Sequence, residues 1–195
     1  MNYDIITGTS FCDAVKQLQK VASPKHPKND LNGKSVYRPL TLAETIQAQV
    51  YHYLETKELD LFKTDFATSS GIIYKPRSFK IQIVPVFDKL FNPNIAACSF
   101  DAFYKDYKGM ELDISNVPKT NNFFLMALLG NSCHLHYNYS LIAEKHFNKS
   151  VNELISLSTY EGNDSARMLT VKPLDEMEVI TWGCSSGEVN VLVKK

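Results

Sequence analysis

Arginine is scarce in this 195-residue chain: Arg38, Arg77 and Arg167 are the only three among 21 basic residues. That removes most of the planar forks that read guanine or clamp phosphate in two places at once. The 21 acidic residues bring the formal charge to zero, so no global field draws the chain to nucleic acid or to an anionic membrane. Nucleic acid is not an expected partner. The four cysteines, Cys12, Cys98, Cys133 and Cys184, form no CxxC pair. This argues against a thiolate zinc knuckle or a redox dithiol and fits a reducing compartment. The longest strongly apolar run, FFLMALLG, is far shorter than a bilayer span, and MNYDIITGTS has neither the basic nor the apolar region of a secretion signal. A cytoplasmic location without membrane association is expected.

What is present describes a packed chain. Hydrophobic residues make up 44% and charged residues 22%, with 10 Tyr and 11 Phe, enough apolar surface for one self-standing domain over residues 1–195. CDAVKQLQKVA places Val15, Leu18 and Val21 on one helical face. Six basic residues against Asp30 alone between 16 and 38, interrupted by Pro24, Pro27 and Gly33, then predict a basic irregular loop at about 22–38. After Pro39, Thr41 and Glu44 stand at capping-box spacing ahead of Leu42, Ile46, Val50, Tyr53 and Leu54, which share one helical face. His52 borders that stripe and reads as a packed or surface residue.

From Ser70 to Phe87 the period becomes two, with an interruption at Lys75-Pro76-Arg77-Ser78, which predicts two strands joined by a turn. SFDAFYKDYKG has the spacing of an aromatic-faced helix, and MELDIS alternates as a strand with Glu111 and Asp113 on one side. FFLMALLG reads as a buried helix of two turns. The octet CHLHYNYS, residues 133–140, alternates in polarity. Read as a strand, it turns Cys133, Leu135, Tyr137 and Tyr139 inward and His134, His136, Asn138 and Ser140 to the other side. LIAEKHF and VNELISLS read as helical, the latter with Ser150 and Glu153 at capping-box spacing. RMLTV, EMEVITW and EVNVLV read as consecutive strands that pair antiparallel. The expected class is α+β: a mostly antiparallel sheet with several short helices packed on it.

Two functional readings follow. The first is a non-enzymatic binding or interaction module for a small anionic or nucleotide-like ligand, or for an acidic protein surface. Lys75, Arg77 and Lys80 cluster at one hairpin end, and Ser69, Ser70 and Gly71 in ATSSG supply small donors beside a backbone that a ligand can approach. The spacing of a phosphate loop is missing. The second reading is a metal-dependent hydrolase of esters or phosphodiesters. His134 and His136 would hold Zn or Mn from one strand face, with Glu111, Asp113, Glu144 or His146 completing the set. GCSSG, residues 183–187, matches a nucleophile elbow around Ser185, but no histidine follows it, so a hairpin turn is expected there.

Overall fold

Neighbouring residues on the central strands are buried on opposite sides, and this two-residue period builds three layers. The computed structural model describes residues 3–21, 38–74, 80–86, 110–113, 125–150, 153–154, 165–177, 179–182 and 188–194. In chain order these form β1 (Tyr3–Gly8), α1 (Phe11–Val21), α2 (Leu42–Thr56), a 3-10 turn (Asp60–Lys63), β2 (Phe66–Tyr74), β3 (Lys80–Val84) and β4 (Met110–Asp113). A helical turn at 125–128 follows. Then come α3 (Cys133–Phe147), β5 (Ser165–Val171), β6 (Ile180–Trp182) and β7 (Val189–Lys194).

One sheet runs β4-β3-β2-β5-β6 with every neighbour antiparallel, and β1 and β7 form a separate antiparallel ribbon. Ile72, Ile81, Ile83, Leu169 and Val171 bury against α2 and α3. Their neighbours Ile73, Val84 and Met168 bury on the other side, with Phe11, Ala14, Val15 and Leu18 of α1 and Val189, Val191 and Val193 of β7. The α+β class expected from the sequence is the one observed.

The two sheets are joined at Leu40. Its N–H donates to Leu192 O (3.0 Å) on β7, and its carbonyl accepts from Ser69 N (2.9 Å) on β2. Room for this junction comes from a bulge: register passes from Ala67↔Thr170 to Gly71↔Met168, so Thr68, Ser69 and Ser70 together face Leu169. Thr68 Oγ1 donates to Leu169 O (2.7 Å) and accepts from Ser70 N (3.2 Å). Ser70 Oγ donates to Pro85 O (2.6 Å) and accepts from Leu42 N (2.9 Å), one of the amides at the start of α2 that lack an intrahelical acceptor. ATSSG, read from sequence as small donors beside an approachable backbone, is therefore strand interior.

The octet 133–140 is a correction of larger consequence. It forms the first half of α3, capped by Ser132, whose Oγ accepts from Leu135 N, and closed by Asn148 in the left-handed conformation. The buried positions are Leu135, Tyr139, Ile142 and Ala143, a helical spacing, whereas Cys133 and Tyr137 are exposed. Counting Tyr137 as inward-facing produced the false two-residue period. A second correction concerns the tail: β6 pairs with β5, but β7 pairs with β1, whose strand character the sequence reading missed. Residues 22–37, 99–109 and 183–187, and most of VNELISLS, lie outside the described residues.

Two substitutions test this architecture by thermal or urea unfolding. A Cβ at Gly8 would come within 2.4 Å of Ala14 N and 2.9 Å of Ser10 O, both backbone atoms, so Gly8→Ala should cost roughly 1–3 kcal/mol. Thr68→Val keeps the shape but strands Ser70 N–H and Leu169 O, and should cost about 1–3 kcal/mol. A midpoint unchanged by Thr68→Val would remove the bulge from its structural role.

Candidate functional site

A groove of about 170 Å³ opens between the N-terminal halves of α2 and α3, lined by Ala43, Glu44, Gln47, Val50, Tyr51, Leu129, Ser132, His134 and Leu135. The two helices run side by side in the same direction. Their first turns share the groove, and near their last turns Tyr53 Oη and His146 Nε2 lie 2.7 Å apart. Leu42, Ile46 and Val50 of α2 and Leu135, Tyr139 and Ile142 of α3 belong to one buried cluster, which fixes the helix spacing. Below the groove Phe62 stacks on Tyr139, ring centroids 6.0 Å apart. Burial pushes the Tyr139 phenol well above its ordinary range.

Each groove-lining helix begins with a hydroxyl cap. Thr41 and Glu44 form the expected reciprocal box: Glu44 N donates to Thr41 Oγ1 (3.2 Å), and Thr41 N donates to Glu44 Oε2 (2.8 Å). Arg38 adds a two-pronged contact, Nη1 to Oε2 and Nη2 to Oε1, each 2.6 Å. Burial alone would raise the Glu44 pKa, but the hydrogen bonds from Arg38 and Thr41 and the guanidinium charge outweigh it and hold the carboxyl below its usual range. Glu44 is thus ionised yet neutralised within the protein. On the α3 side the amides of Cys133 and His134 belong to the first turn, where helix geometry supplies no acceptor. Parallel alignment adds the positive ends of two 15-residue helices at one place. His134 is exposed there, and Asn138 one turn further donates to its carbonyl (2.9 Å).

The residues picked out by sequence fall in three places. Ser69, Ser70 and Gly71 are buried in β2 directly beneath the start of α2, with Ser70 bonded to protein backbone on both sides. Lys80 opens β3, in register with Asp113 of β4, while Lys75 and Arg77 lie outside the described residues. His134 and His136, two positions apart on a helix, are separated by about 200° around its axis and do not share the face that a strand would have given them. His134 points to the groove. Desolvation lowers the pKa of His136, whose Nε2 is buried without a hydrogen-bond partner among the described residues. Sequence reasoning missed Gln47 and Tyr51, for which helical spacing gives no functional signal; only the meeting of two distant helices makes them neighbours.

Comparisons with known proteins add the fold. No family model matches the sequence, and a search of curated proteins finds no match. One solved structure does match, described as accommodation of massive sequence variation in Nanoarchaeota by the C-type lectin fold. It aligns over 99% of this chain and 98% of its own length with TM-score 0.63 and 13% identity. The chain has the C-type lectin fold. At that identity the resemblance concerns backbone architecture and carries no role for the groove residues. Among the described residues, no helix is long and apolar enough to cross a membrane.

The Glu44 carboxylate makes the rim sensitive to acid. Its folded-state pKa is lowered, so its contribution is complete above the unfolded-state value and is lost as pH falls through the folded value. Stability should decline below about pH 4.5, and Glu44→Gln should be less stable near neutrality while losing less on acidification. Parallel pH–stability curves for the two proteins would refute this role.

Proposed function

We propose that this protein is a non-enzymatic binding module whose α2–α3 groove receives a carboxylate or phosphate group carried by a larger ligand or by an acidic protein partner. The observation that carries this reading is the convergence of two helix N-termini on a groove whose own carboxylate, Glu44, is already neutralised by Arg38. The size supports a group rather than a whole cofactor: about 170 Å³ is well below the roughly 300–1,000 Å³ of pockets that enclose drug-sized molecules. Val50, Leu129 and Leu135 supply the apolar floor, and Gln47, Tyr51, Ser132 and His134 the polar rim. The hairpin end bearing Lys75, Arg77 and Lys80 is a second anion-attracting surface in the proposal; it is supported by the pairing of Tyr74 with Ile81, which returns the chain so that Lys80 lies at the end of the hairpin.

Melting-temperature shifts with inorganic phosphate, acetate and an acidic peptide would separate the two surfaces. Wild type should be stabilised. Ala43→Glu, which sets a charge in the groove at a helix position that tolerates acids, should abolish the shift, and His134→Ala should reduce it several-fold. Lys75→Ala/Arg77→Ala should keep it. The reverse pattern would move the site to the hairpin, and no shift with any anion would reject the anion reading.

A further inference from the structure

The opposite end of α2 carries a polar cluster that the groove does not use. His52 Nε2 lies 2.7 Å from Asp60 Oδ1 and 3.7 Å from Glu58 Oε2, and one ligand atom from each residue falls within 4.8 Å of the others. Local chain geometry brings them together. The helix ends at Lys57 in the left-handed conformation, with φ 65° and its N–H returned to Tyr53 O. Thr56 Oγ1 then donates to His52 O (2.9 Å) and accepts from Glu58 N (3.1 Å). The chain doubles back at once, so Glu58 and Asp60, six and eight residues beyond His52, face its ring. The imidazole is anchored at 24% exposure, whereas the two carboxylates, at 69% and 62%, are free to adjust.

We propose that His52, Glu58 and Asp60 form a binding site for a zinc-class divalent ion (Zn²⁺, Co²⁺ or Ni²⁺), with water filling the remaining positions. Two donors that each sit about 2.0–2.2 Å from a tetrahedral ion lie roughly 3.4 Å apart. The observed 2.7 and 3.7 Å bracket that separation, so small side-chain rotations complete the site. An imidazole with two carboxylates suits borderline ions, whereas Ca²⁺ and Mg²⁺ favour all-oxygen shells. Without metal, a proton between Nε2 and Asp60 holds the pair together. On binding, the neutral ring carries its proton on Nδ1, the Nε2 lone pair goes to the ion, and the ion's charge balances both carboxylates. The bound ion would pin the end of α2 to the 3-10 turn, beside the Tyr53–His146 contact with α3.

The test is calorimetric and thermal titration of the full chain, tag-free and chelator-treated, with ZnCl₂ and with CaCl₂ as the control. One zinc per chain and a raised melting temperature are expected, with binding at least tenfold weaker in both His52→Ala and Glu58→Gln. The second variant removes a mostly exposed charge, so it stays informative even if the first fails to fold. Wild-type protein that takes up no zinc, Glu58→Gln that binds as wild type, or Ca²⁺ that displaces Zn²⁺ at equal concentration would overturn the assignment. Zinc held by the exposed Cys133 and His134 would persist in both variants and count against it as well. Since the groove lies at the other end of α2, phosphate shifts should be unchanged in Glu58→Gln, which keeps this outcome separate from that of the anion site.

Discussion

Leu40 is the residue on which the two sheets depend, because its own N–H and C=O bridge β7 and β2. A buried amide and carbonyl at such a crossing each need a partner, and Ser69 can offer its N–H only because β2 departs from regular pairing between Ala67 and Gly71. Thr68 and Ser70 complete the departure by supplying side-chain oxygens where ladder bonds are lost. The same hydroxyl of Ser70 then sets where α2 begins, since it accepts from Leu42 N. Sheet, ribbon and first groove helix are thus positioned by three consecutive small polar residues.

From that starting point α2 acts as a ruler between two different chemistries. At its N-terminus the capped first turn and the Arg38–Glu44 pair create a neutralised rim beside α3. At its C-terminus a left-handed residue folds the chain back and gathers ligand-type side chains. A helix of 15 residues spans about 22 Å, so the two ends act independently on any ligand smaller than that. Tyr139 and Phe62 stack in the same buried cluster as the apolar face of α2.

How much of this could be read from residues alone depended on whether period and punctuation agreed. Where they did, as at Thr41 and Glu44 ahead of a 3.6-residue stripe, both the helix and its cap were legible to the residue. The β2–β3 hairpin, β4, the strands of the tail and the β5–β6 pairing were legible from alternation, but the partner of β7 was not, because the choice between β1 and β6 is made by contacts across nearly the whole chain. Failure came where tyrosine blurred the apolar count. Tyr137 is exposed and Tyr139 buried, and treating them alike turned a helix into a strand and gave His134 and His136 a common face they do not have. ATSSG was read as small donors beside a backbone that a ligand can approach, and in the structure a segment of the chain lies against it. The approaching group is the chain's own Leu40–Leu42 segment rather than a ligand. The groove was illegible because its residues come from helices far apart in the sequence and carry no motif.

The ribbon places Tyr3 opposite Lys194, and α1 rests on both of its strands. Along the chain β1 precedes its partner, with every other strand between them. The apolar underside of α1, together with Ile73, Val84 and Met168, therefore waits for β7 before it is shielded. Sealing this layer has to follow delivery of β7, so a chain whose main sheet is already assembled still carries an uncovered apolar flank.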